Sequence, residues 1–178
     1  MQLYGNPVLT GVERFFDPDE VIVSKTDTKG IITYANRTFG RLAGISPLDA
    51  VGKPHNLIRH PAMPRCVFKL LWDVISTGEE IFAYVINRSL NGDHYWVLAH
   101  VTPSFDQAGQ IIGYHSNRRV PKREVVNDVI MPLYEALLKL EQSYESPKEG
   151  LQAGFDHALK VIGDTGMEYN RFITSLGE

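Results

Sequence analysis

The sequence predicts an α+β fold: a five-stranded antiparallel sheet with short helices on one face, followed by a helical hairpin or coiled-coil segment. Three observations carry this prediction. Two short β-branched runs precede a cluster of helix-forming segments, and three longer strand-like runs follow it. Turn words rich in Gly, Asn and Asp separate the strands. After Pro121 the apolar residues change to alternating spacings of four and three, the rhythm of a helical seam.

Residues 1–19 read as an irregular arm. Asn6-Pro7 and Asp17-Pro18-Asp19 are turn signals, and Pro18 biases Asp17 away from helix. Phe15 and Phe16 are candidate anchors for this arm. Residues 20–120 then form the main domain. Val21 to Lys25 is a short β-branched strand, Asp27-Thr28-Lys29-Gly30 a turn, and Ile31 to Ala35 a second strand, with hairpin spacing. Asn36 is a good helix N-cap, and Phe39, Leu42 and Ala43 share one helical face until Gly44 stops the helix. Ser46 with Pro47 opens a short helical turn, and Gly52-Lys53-Pro54 breaks it.

Pro64 to Ile75 is the next helix, with Val67, Leu70, Leu71, Val74 and Ile75 as its apolar stripe and Phe68 and Trp72 on a flank. Gly78 ends it. Ile81 to Ser89, Tyr95 to Pro103 and Ile111 to Arg118 are strands, the first two joined by the hairpin word Asn91-Gly92-Asp93. Helices capping one face of such a sheet leave room for a cavity between the layers.

Residues 121–178 are a helical extension. Val126, Ile130, Leu133, Leu137, Leu140 and Tyr144 form one seam, and Leu151, Phe155, Ala158, Ile162, Thr165, Tyr169, Phe172 and Leu176 a second. Pro132 is expected to kink the first helix, since its ring clashes one turn back. Gly154, Gly163 and Gly166 weaken the second by ~1 kcal/mol each relative to Ala, so it needs a partner surface.

Bulk properties exclude several classes. The 178 residues are 43% hydrophobic and 22% charged, enough for one core plus extra helix. A net charge of −3 lacks the basic excess of a nucleic-acid footprint. The lone Cys66 cannot form an internal disulfide, which fits a reducing compartment. No run approaches the ~18 apolar residues of a membrane span, and the first residues lack a secretory pattern, so the expected location is cytoplasmic. Enzyme motifs are missing: no Gly-rich nucleotide loop, no Gly-x-Ser-x-Gly elbow and no paired His and Cys at metal spacing. The expectation is a protein that is not an enzyme.

The richest words are Arg59-His60-Pro61-Ala62-Met63-Pro64, then Trp72, then Asn87-Arg88 through Asn91-Gly92-Asp93-His94-Tyr95-Trp96. Together they read as a pocket wall and its lid. With Ile32-Thr33-Tyr34-Ala35-Asn36 and Gly52-Lys53-Pro54-His55-Asn56-Leu57-Ile58, they make the chain resemble the PAS sensor domains, and within them those of bacterial aerotaxis receptors, from about Val21 to Arg119. The resemblance implies non-covalently bound FAD and a redox- or oxygen-linked signal passed to a chemoreceptor, kinase or regulator, in trans or through domains outside these residues, with a homodimer as one arrangement. It also implies flavin contacts at Asn36, Arg59, His60, Trp72 and Asn87. Two departures stand out: Ala62 and Lys69 occupy positions where the family commonly has acidic residues, which changes the charge at the flavin entrance.

Each candidate has a chemical role and a plainer one. Asn87 offers donor and acceptor to the ring's pyrimidine edge, or satisfies backbone at a strand end. Trp72 can cover a ring by stacking, or pack on a helix flank. Arg59 can pair with a phosphate or a reduced ring, or be a solvated loop cation. His60 can respond to ring charge, or bond backbone. His94, Tyr95 and Trp96 fit a sheet surface packed against the arm or helices. Two rival readings remain: a haem or small-ligand PAS sensor with His100 or His115 as ligand, and a cofactor-free module that dimerises through its helices.

Overall fold

The computed structural model describes residues 4–177. Met1, Gln2 and Leu3 of the arm lie outside the described residues. The opening strands are β1 (Ile22–Thr26) and β2 (Ile32–Ala35), joined by a turn in which Asp27 accepts from the backbone of Lys29 and Ile31 and Gly30 adopts φ +79°. Helices α1 (Arg37–Ala43) and α2 (Pro47–Ala50) follow, capped by Asn36 and Ser46 as the sequence predicts. A 3-10 turn, His55–Ile58, leads to α3 (Arg65–Ile75). The closing strands are β3 (Ile81–Arg88), β4 (His94–Phe105) and β5 (Ile111–Arg119).

These five strands form one antiparallel sheet in the order β2-β1-β5-β4-β3. The two halves of the sequence therefore meet in the middle, where β1 pairs β5 from Ile22↔Arg118 to Thr26↔Tyr114. The helices between β2 and β3 lie over one face. Phe39, Leu42, Leu57, Ile58 and Met63 are buried there, each such side chain contributing about 1.5–3 kcal/mol by leaving water.

The arm is more ordered than its sequence implies. It runs beside the β3–β4 turn, exchanging backbone hydrogen bonds from Asn6 to Leu90 (2.7 Å) and between His94 and both Val12 (2.9 Å) and Arg14 (2.7 Å). Arg88, fully buried, donates to the carbonyls of Tyr4 and Asn6. Of the two predicted anchors, Phe16 packs on the core, whereas Phe15 is 71% exposed beneath Arg123.

The C-terminal segment also departs from expectation. A short α4 (Arg123–Val125) runs through a π-helical stretch, Val126–Ile130, into α5 (Met131–Gln142). Pro132 therefore sits in the first turn of α5, and the wider π turn relieves the clash that was expected to kink the helix. The second seam is not one helix. It breaks between α6 (Pro147–Gly163) and α7 (Tyr169–Ser175), where Gly166 takes φ +72°. Gly163 and Gly166 cost helix stability just where the chain turns away into α7 to reach the sheet.

The hairpin α5–α6 closes within the chain and packs α6 against α3. Gly150 permits the close approach, since a Cβ there would lie 2.1 Å from the Glu141 carbonyl oxygen. The edge strand β3 is covered rather than left open: Asn170 on α7 bonds the Phe82 N–H and the Glu80 carbonyl, and Tyr134 donates to the Tyr84 carbonyl (2.5 Å).

Candidate functional site

A cavity of about 480 Å3 lies between the sheet and α3, within the size range of ligand pockets. Strand alternation decides which residues face it: Ser24 and Thr26 on β1, Tyr114, Ser116 and Arg118 on β5, Ala99 and Val101 on β4, Val85 and Asn87 on β3. The opposite wall is α3 with the 3-10 turn. The predicted apolar stripe of α3 divides between two jobs. Leu71 and Ile75, with the flanking Phe68 and Trp72, line the cavity, whereas Val67 and Leu70 meet the C-terminal helices. Leu151 of α6 also reaches the cavity wall.

Three of the five sequence-derived candidates line this cavity. Asn87 is 4% exposed, and its Nδ2 has no partner among the described residues. A buried amide donor without a partner costs roughly 1–3 kcal/mol, so this group is poised for an acceptor on a guest. Its backbone bridges Arg59 across the cavity rim. The Arg59 guanidinium sits 4.4 Å above the Phe68 ring, and burial pulls its pKa down. Trp72, 40% exposed, stands edge-on to Tyr114 with centroids 5.5 Å apart. A Cβ on Gly30 would come within 3.3 Å of the indole, so Trp72 forms part of the rim beside the β1–β2 turn.

The other two do not line it. Asn36 spends its amide on backbone: Oδ1 accepts from Val23 (3.1 Å) and Phe39 (2.9 Å), and Nδ2 donates to Val21 (2.7 Å). Its role here is to tie β1 to α1. His60 lies behind the rim, where its Nδ1 accepts from Ala62 (3.1 Å) and its ring approaches His94 at 5.7 Å. Burial, then His94 and Arg88, push its pKa down to about 4. The plainer roles of Asn36 and His60 are the ones their hydrogen bonds express.

Residues that sequence reasoning left out supply the polar wall. Arg118 on β5 donates through Nη2 to Ser24 Oγ (2.8 Å) and His55 Nε2 (2.7 Å). Among the described residues the cavity is lined by Lys29, Arg59, Arg65, Lys69 and Arg118 and by no carboxylate. Only strand register could have flagged Arg118: it shares an inward face with Ser116 and Tyr114, and nothing in its local sequence marks it. Lys69, one of the two departures noted above, pairs with Asp73 and lies over Phe155.

Neither histidine named as a haem ligand lines the cavity. His100 and His115 point away from the cavity by alternation, and His100 stacks on Phe82 (4.2 Å) with Nε2 2.7 Å from Glu80. Among the described residues no cluster of three or more His, Cys, Asp or Glu could hold a metal ion. No described helix is long and apolar enough to cross a membrane.

Comparison with known proteins agrees with this architecture. A family model described as the PAS fold matches residues 20–116. The aerotaxis receptor of Escherichia coli is 38% identical over 133 residues, covering 74% of this chain and 26% of the receptor. The nitrogen fixation regulatory protein of Klebsiella pneumoniae is 27% identical over 99 residues, 56% of this chain and 20% of that protein. This chain thus spans about a quarter or less of these relatives' length. Among solved structures, the LOV domain of the blue-light photoreceptor Aureochrome1 superposes with a TM-score of 0.54 at 24% identity, covering 61% of this chain and 88% of that one. The PAS domain of the fruit-fly ELK potassium channel gives 0.50 at 15% identity, covering 56% of this chain and 85% of that one.

Proposed function

The chain belongs to the PAS family, and from that premise we propose that it is a sensor module that holds FAD in the cavity and passes a redox- or oxygen-linked change to a signalling partner. One observation carries this reading: a largely apolar cavity with an unpartnered Asn87 amide in its wall and, among the described residues, five cations but no carboxylate in its lining, Lys69 alone of the five being paired to an acid, Asp73, behind the wall. An apolar slot suits a flat ring, the amide suits a ring edge with donors and acceptors, and the cations suit a diphosphate. The similarity to an aerotaxis receptor supports an oxygen-linked signal.

A bound flavin would supply the redox chemistry; the protein's part is to hold it and to report its state. Asn87 would orient the ring edge, Arg59 with Arg65 and Lys69 would meet the phosphates, and Trp72 would close the rim. The reporting path starts on the same strand. Arg88, next to Asn87, grips the arm through Asn6, and Tyr84 is gripped by Tyr134 on α5. A change in the hydrogen bonds of Asn87 then alters how the arm and the C-terminal helices dock, which biases a two-state equilibrium. The role is sensing, not turnover. The setting is cytoplasmic, and the partner is a chemoreceptor, kinase or regulator, in trans or in the same longer chain.

The test is an absorption spectrum of the purified chain after incubation with FAD, with and without dithionite. Flavin bands that bleach on reduction support the reading. Protein that stays colourless after dialysis overturns it.

A further inference from the structure

Arg118 is a buried cation without a counter-charge. It is 4% exposed and pairs with no carboxylate among the described residues; its hydrogen bonds go to Ser24 Oγ and His55 Nε2, and its guanidinium lies 5.9 Å from the Phe39 ring centroid. Because the guanidinium donates to His55 Nε2, that ring is neutral and carries its proton on Nδ1. Arg118 Nη1 has no partner among the described residues, and Ser116 Oγ, opposite Ser24 in the register, has none either. A charge buried without its opposite is costly, and arginine does not escape by losing its proton near neutral pH. Burial moves it only to about 10. The side chain lines the cavity, so the place for the missing negative charge is the guest.

We propose that Arg118, held by Ser24 and His55, is the counter-charge for an anionic ligand, and that it makes the cavity prefer reduced flavin over oxidised flavin. This rests on the flavin reading above. Reduction by dithionite transfers two electrons to the ring, one proton is taken from solvent, and dithionite is oxidised to sulfite. The reduced ring then carries one negative charge, which the guanidinium balances inside a low-dielectric wall. The titratable groups facing Arg118 do not compete for that charge. His55 stays neutral, pushed down to about 3 by burial and by Arg118 itself, and burial pushes the Tyr95 phenol up.

The experiment measures the midpoint potential of the FAD-loaded full chain in three forms: native, Arg118→Met and Arg118→Lys. Loss of the charge in Arg118→Met is expected to reduce the preference for reduced over oxidised flavin at least tenfold, a shift of about −30 mV or more for a two-electron couple. Arg118→Lys keeps the sign of the charge and is expected to stay near the native value. A loaded Arg118→Met with the native potential overturns the proposal. Should Arg118→Met fail to fold, the native chain decides through its own pH dependence in mildly acidic solution. A potential falling by about 30 mV per pH unit signals one proton for two electrons and supports the proposal; about 59 mV per unit signals a neutral reduced ring and overturns it. A native chain that takes up no FAD removes the flavin reading itself, which the loading spectrum reveals before any potential is measured.

Discussion

Glu141 on α5 accepts the backbone N–H of Cys66 on α3 at 2.8 Å, and its second oxygen accepts that of Arg65 at 3.0 Å. Helix α3 has no side-chain cap of its own, because Pro64 stands at its N-cap position. The C-terminal extension thus supplies the missing cap to the helix that walls the cavity, and a carboxylate there also suits the positive end of the helix dipole.

We predict that Glu141→Ala lowers stability by about 1–3 kcal/mol, the cost of leaving buried donors unpaired. Glu141→Gln should recover part of this, since its amide oxygen still accepts. Urea unfolding of both variants checks the order. Equal stability of Glu141→Ala and the native chain would mean that α3 is capped by solvent instead.

For Asn87 two measurements should move differently. Asn87→Ala removes an unpartnered buried donor and some packing with it, so the ligand-free chain is expected to be as stable as the native one or more so. FAD affinity is expected to fall about tenfold, one hydrogen bond's worth. Thermal melting of the ligand-free chain and a fluorescence titration with FAD read the two quantities. A large loss of stability with unchanged affinity would assign Asn87 to the scaffold alone.

The His60 ring makes stability pH-dependent. Its folded pKa lies near 4 against an ordinary 6.5, so below pH 6.5 the unfolded chain binds a proton that the native chain refuses. Stability is therefore fully present above about 6.5 and declines as pH falls towards 4. His60→Gln should flatten this decline, leaving the parts due to His55, whose pKa is pushed to about 3, and to His115, which burial also pushes down. Melting temperatures of both chains across the interval provide the comparison, and parallel curves would contradict the assignment.

The arm offers a mechanical test. Gly92 has φ +100°, and a Cβ there would lie 2.1 Å from the Val8 carbonyl oxygen. Gly92→Ala is expected to displace the arm while leaving the sheet intact, because the clash is with the arm's backbone. Limited proteolysis should then cut within residues 4–14 several times faster than in the native chain. Unchanged cutting would place the arm's hold elsewhere, in the contacts of Arg88 and Asp93.

Much of the fold was legible because its signals are local. Asn36 and Ser46 announce helix starts through their own side chains, and Asn91-Gly92-Asp93 announces a hairpin through its own backbone needs. The PAS words marked Arg59, Trp72 and Asn87 as a group, and all three line one cavity. Asn36 shows the limit of such marks, since a residue that caps a helix well spends its amide doing so.

What the sequence by itself determined is therefore the α+β layout, the strand boundaries to within a residue or two, and the segment that walls a pocket. Periodicity and turn chemistry act over a few residues and can be read one stretch at a time. Tertiary structure alone decided that α7 leaves the seam to cover β3, that Glu141 caps α3 across 75 residues of chain, and that Arg118 meets Ser24 and His55 beside the cavity. Those contacts join segments far apart in sequence, and their partners become neighbours only once β1 and β5 pair at the centre of the sheet.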